Sequence, residues 1–138
     1  MLNIFKRKPE TFQEYIHYIV SKPKMQFQFD VYRNNDVDYQ VCRQGMIINL
    51  GIKEIDNPRD LAVVINFNAN DEDVIGYLEN FKKSELFDRS IKPENYGETY
   101  VIKCENNVES ILTLLRIIQM KVYNYNDETI HNFSFSKF

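Results

Sequence analysis

The chain has 138 residues, 43% hydrophobic and 27% charged, which is material for one core and a single domain over 1–138, and too mixed for a disordered tail. Its four glycines, at 45, 51, 76 and 97, are too far apart for the phosphate-cradling loops of common nucleotide sites, and two cysteines with two histidines exclude a four-ligand zinc site of standard spacing. No cofactor is called for, no apolar run reaches the roughly 18 residues of a membrane span, and a net charge of −3 argues against nucleic acid as a general partner.

Thr11 and Glu14 form a T-x-x-E capping box, and Phe12, Tyr15, Ile16 and Ile19 recur at i, i+3, i+4 and i+7, which predicts a first helix ended by Pro23. From Met25 the period changes to two. Met25, Phe27, Phe29 and Val31 alternate with Gln26, Gln28, Asp30 and Tyr32; Asn34, Asn35 and Asp36 then make a turn, and Val37, Tyr39 and Val41 alternate with Asp38, Gln40 and Cys42 to complete a hairpin. After Gln44 and Gly45, the alternation of Met46, Ile48, Leu50 and Ile52 predicts a third antiparallel strand. Asp56, Asn57 and Pro58 mark a loop, and Leu61, Val63, Ile65 and Phe67, joined by an apolar Val64, predict a strand buried on both faces.

Asn70 caps a second helix, which the spacing of Val74, Tyr77, Leu78 and Phe81 carries to about Leu86, with Asp71, Glu72 and Asp73 complementing its dipole. Pro93 and Gly97 place a loop over 88–97, and a fifth strand follows over 98–105 with Tyr100, Ile102 and Cys104 on one face. Asn106 and Asn107 cap the longest helix, whose stripe of Val108, Ile111, Leu112, Leu115, Ile118 and Val122 runs to about Tyr125. From Thr129 the tail alternates Phe133 and Phe135 with Ser134 and Ser136, so 127–138 reads as a last strand or an ordered arm. The order α-β-β-β-β-α-β-α-β predicts an α+β domain with a mixed, mostly antiparallel sheet of five or six strands and three helices, the long third helix packed on one face. From residue 61 onward the order reads as a βαβ unit with a right-handed crossover.

Candidate chemistry is sparse. Asp36 with Asp38, and Glu54 with Asp56, are carboxylate pairs of the kind used in acid/base work, but turn and strand positions make solvated surface groups the simpler reading. Asn66, Asn68, Asn70, Asp71 and Asp73 are oxygen-rich, yet against a calcium-binding EF-hand loop they place Asp71 at the glycine position and Tyr77 at the bidentate glutamate position. No metal is therefore expected. His17 falls away from the apolar stripe of the first helix and His131 lies in the aromatic tail, neither beside a nucleophile. Lys6, Arg7 and Lys8 make residues 1–9 a basic end without a secretory h-region, and Cys42 and Cys104, each in a strand-like run, fit buried thiols in a reducing cytoplasm.

The charge distribution is more informative. Residues 25–81 carry a net −6, and the expected polar face of the sheet, with Gln26, Gln28, Asp30, Asp38, Gln40 and Asn49, holds no lysine. Asp36, Asp56 and Asp60 flank it in turns, and Tyr32, Tyr96, Tyr123 and Tyr125 are the tyrosines expected to be exposed. This pattern predicts a non-catalytic module that binds a basic protein through Asp30, Asp36, Asp38, Asp56, Asp60, Tyr32 and Tyr96, most concretely an immunity-type inhibitor of a basic toxin domain such as a nuclease. The alternatives are a chaperone or adaptor for a secreted protein, and a small-ligand enzyme assembled only in the fold, with Asp30, Asp38, His17 or Cys104 as members. A homo-oligomer is compatible with each.

Overall fold

The computed structural model describes residues 8–33, 36–125 and 132–138. Lys6, Arg7, Asn34, Asn35, Thr129 and His131 lie outside these residues, as does the side chain of Asp36. The elements are α1 (Phe12–Ser21), β1 (Phe27–Arg33), β2 (Asp36–Arg43), a 3-10 helix (Gln44–Leu50), β3 (Leu61–Asn66), α2 (Glu72–Lys83), α3 (Glu85–Arg89), β4 (Thr99–Cys104), α4 (Val108–Ile117), a π turn (Ile118–Val122) and β5 (Asn132–Lys137). The strands form one sheet in the order β4-β3-β2-β1-β5, with every neighbouring pair antiparallel. The chain is an α+β domain, as the element order predicts.

Three expectations are corrected. The sheet is wholly antiparallel and not mixed, because β3 and β4 are antiparallel neighbours instead of the two strands of a βαβ unit. The segment after α3 is the reason. It runs back along β4, where Ile91 and Val101 exchange both backbone hydrogen bonds at 2.8 Å, so β4 begins beside the end of β3, with Phe67 N–H donating to Glu98 O at 2.9 Å.

The expected third strand is the 3-10 helix. Its three-residue repeat stacks Gln44, Ile47 and Leu50, so Ile47 is buried while Ile48 is 58% exposed, the reverse of what strand alternation requires. Gly51, at φ 83°, ends it by donating to Ile48 O, a left-handed conformation that glycine adopts without a Cβ clash.

The helices also differ at their ends. α1 has the predicted box, with Glu14 N–H donating to Thr11 Oγ1 and Thr11 N–H to Glu14 Oε1, both at 3.1 Å. Asp71, and not Asn70, caps α2 by accepting from Asp73 N–H at 2.8 Å. Ser84 then stops that helix and caps α3, so the run to Leu86 is two helices. α4 starts at the Asn107 cap and passes into the π turn at Ile118, where Asn80 Nδ2 donates to Val122 O at 3.0 Å. No helix among the described residues is long and apolar enough to cross a membrane.

One sheet face, carrying Phe27, Phe29, Val31, Tyr39, Val41, Leu61, Val63, Ile65, Tyr100 and Ile102, is sealed against α1, α2 and α4 as the main core. At the β1/β5 end, Phe12, Tyr15 and Tyr18 of α1 meet Phe29, Phe133 and Phe135, and Phe27 stacks on Phe135, with ring centroids 5.1–6.0 Å apart. Arg43, which shares the parity of Val41, is fully buried on this face and stacks over Phe27. Its five N–H groups are all used. Nε donates to Met25 O, Nη1 to Arg59 O and Asn106 Oδ1, and Nη2 to Ile19 O and Lys22 O. It thereby ties the end of α1 to the turns before β3 and α4. Burial lowers its pKa, and Asp60 pulls it back up.

Candidate functional site

The second face of the sheet is divided. Over β3, β4 and the end of β2, Cys42, Ala62 and Val101 pack under Ile47 of the 3-10 helix and Ile52 of the loop behind it, with Met46, Leu50, Ile55 and Ile91 around them. Over β1, β5 and the middle of β2, the residues of the same parity are Gln28, Asp30, Tyr32, Gln40, Ser134 and Ser136, and none of them is fully buried. This bare half is the candidate site. The expected polar alternation of β1 is what places Gln28, Asp30 and Tyr32 there.

A chain of hydrogen bonds crosses it. Gln28 Nε2 donates to both carboxylate oxygens of Asp30 at 3.0 Å, and Tyr32 Oη lies 3.5 Å from Asp30 Oδ2 and 3.2 Å from Ser134 Oγ. The register puts Asp30 opposite Gln40 on one side and Ser134 on the other. The arrangement is one carboxylate held in place by the Gln28 and Tyr32 donors, with lone pairs left over to accept from further amide or ammonium groups.

Asp38 is not part of it, which corrects the expected polar-face position. The β1–β2 register changes between Val31–Tyr39 and Tyr32–Val37, which makes Asp38 the extra residue of a β-bulge. Its residue is 3% exposed; Tyr125 Oη donates to Asp38 Oδ2 at 3.0 Å and Tyr123 Oη to Asp38 O at 2.7 Å. Tyr123 is consequently buried, against the expectation of exposure. The β2–β3 ladder ends at Tyr39–Ile65, and where the strands part a cavity of about 290 Å³ opens between Val37, Asp38, Gln40, Asn66, Tyr77 and Tyr123. Tyr39, also on its wall, accepts from Gln119 Nε2 at 2.7 Å, and burial pushes its hydroxyl pKa far up.

The remaining predicted residues are dispersed. Asp56 pairs at 3.1 Å with Lys103 of β4, beside the covered half and three strands across the sheet from the β1 strand that carries Asp30. Asp60 Oδ1 accepts from Asn106 N–H at 3.0 Å near Arg43. Tyr96 is 41% exposed and donates to Asn49 O on the 3-10 helix, so Asn49 also lies off the strands. Asp36 opens β2. His17 is exposed on α1, whereas Cys42 and Cys104 are buried free thiols on opposite sheet faces and do not meet. No group of three or more potential metal ligands occurs among the described residues.

Sequence reasoning missed Arg43 and the Asp38–Tyr125 contact. Arg43 was legible as a charge at the apolar parity of β2; nothing local announces the bulge. A scan against protein-family models and searches of curated proteins and solved structures found no match to this chain.

Proposed function

We propose that the protein is a non-catalytic binding module that receives a basic protein on the bare half of its sheet, with Asp30 at the centre and Gln28, Tyr32, Gln40 and Ser134 around it. The observation that carries this reading is the division of the second face: the chain covers one half with its own 3-10 helix, while the other half is polar and, among the described residues, uncovered. The −6 charge of residues 25–81 supports a basic partner, and in its most concrete form the module is an immunity-type inhibitor of a cationic toxin domain. Two buried cysteines on opposite faces suit a reducing cytoplasm.

Recovery of the tagged protein from its native cells at low and high salt tests this. One stoichiometric basic protein, released by salt and lost in Asp30→Lys but not in Asp56→Lys, is the expected result; equal retention by both variants moves the interface off the bare half. The cavity beside Asp38 favours a second reading, a small-ligand site. A small-molecule screen that raises Tm only when the cavity is intact, and not in Val64→Phe, is its test.

A further inference from the structure

The two edges of the sheet are not alike. At β4 the residues whose backbone groups face outward are Thr99, Val101 and Lys103, and Ile91 closes the middle of the three. At β5, Phe138 N–H donates to Gln26 O at 3.0 Å, and the same register continues through Gln28–Ser136, Asp30–Ser134 and Tyr32–Asn132. Antiparallel alternation therefore turns the N–H and C=O of Asn132, Ser134 and Ser136 toward β1, and those of Phe133, Phe135 and Lys137 toward the outer edge, where no strand of the described residues pairs with them. The strand contains no proline, and β1–β5 pairing runs without a bulge.

We propose that this edge pairs antiparallel with the same edge of a second copy of the chain, about a two-fold axis midway between the two Phe135 residues. Outward-facing residues must meet outward-facing residues, and the register that uses all three sets Phe135 against its counterpart and Phe133 against Lys137 of the other copy. Three residue pairs then exchange two hydrogen bonds each. The register is self-complementary in charge as well, because each Lys137 ammonium meets a phenyl ring and not another lysine.

On the helix-covered face, Phe133 and Phe135, only partly buried in one copy, join the aromatic clusters of α1 from both copies. That side-chain area enlarges a strand pair that alone is below the size of a stable interface. On the other face Ser134 comes opposite Ser136, so the bare polar halves become one continuous surface across the axis. The pairing goes beyond the binding reading above and is measured without any other protein, so its failure leaves that reading standing.

Sedimentation of the full chain over a wide concentration range, with residue-resolved amide exchange on the same samples, tests it. The expected result is a reversible dimer in which the amides of Phe133, Phe135 and Lys137 exchange at least tenfold more slowly than on dilution, while those of Ser134 and Ser136 are protected throughout. Lys137→Pro removes one outward N–H per copy at an edge position that tolerates proline, and weakens the dimer roughly tenfold or more. Should that variant not fold, exchange in the unaltered chain decides alone. A monomer at every concentration, or a dimer whose Phe133, Phe135 and Lys137 amides exchange as fast as in the monomer, overturns the proposal.

Discussion

The two halves of the second sheet face differ in who covers them. Behind β3 and β4, a seven-residue 3-10 helix lays Ile47 on Ala62 and Val101, so the apolar parity of those strands is answered within the chain. Behind β1 and β5, the same parity is Gln28, Asp30, Tyr32, Ser134 and Ser136, and no element among the described residues lies over it. The comparison teaches that burial follows side-chain chemistry strand by strand, even within one sheet. A face left polar stays open for another molecule without a desolvation cost to the folded monomer.

The largest effect is expected at Arg43, which anchors the frame on which both halves hang. Arg43→Ala leaves carbonyls of Ile19, Lys22, Met25 and Arg59 without their donor and costs about 3–5 kcal/mol in urea unfolding, as breaking a buried charged network does. A loss under about 1 kcal/mol rules out the anchoring role. On the covered half, Ile47→Ala costs about 2–4 kcal/mol, whereas Ile48→Ala costs less than ~0.5 kcal/mol. The opposite ranking indicates a strand there. At the bulge, Tyr125→Phe deletes the donor to Asp38 Oδ2 and costs about 1–3 kcal/mol; an unchanged denaturation midpoint contradicts that contact.

A pH profile reads both sheet faces through their buried thiols. Burial pushes the Cys42 thiol up to about 12, and burial, opposed by Arg89, pushes Cys104 up to about 11. Both values lie above the roughly 8.5 of an unfolded cysteine. Folding therefore favours the protonated thiol, and this contribution is fully present below about pH 8.5 and is lost as pH rises through the folded values. Stability is expected to fall over that alkaline window, less steeply in Cys42→Ala, and native thiols are expected to resist a thiol reagent at pH 8 until the protein unfolds. The smallest effect belongs to the bare half, where Asp30→Ala is expected to change stability by less than about 0.5 kcal/mol while abolishing the proposed binding of a basic protein. A large stability loss there assigns Asp30 to the fold.

Much of this molecule is written locally. The capping box of α1, the alternation of β1, the double burial of β3, the Asn107 cap and the Phe/Ser alternation of β5 each depend on residues a few positions apart, and each is in place. Gln28, Asp30 and Tyr32 were legible for the same reason, because an unbroken strand carries its parity from end to end. Met46 to Ile52 misled because a run of apolar residues satisfies both a two-residue and a three-residue repeat, and only the apolar surface of Ala62 and Val101 waiting beneath selects Ile47 over Ile48.

The bulge at Asp38 is a matter of pairing between strands, which no single strand encodes. The burial of Tyr123 and the partial burial of Tyr125 follow from where α4 comes to rest. By itself, then, the sequence determined most of the element types and limits and the polarity of one half of a sheet face, since these rest on periodicity and capping within a few residues. Only the tertiary structure decided the direction of β4, the buried clamp at Arg43, the withdrawal of Asp38 and the open edge at β5, since each is a relation between segments distant along the chain.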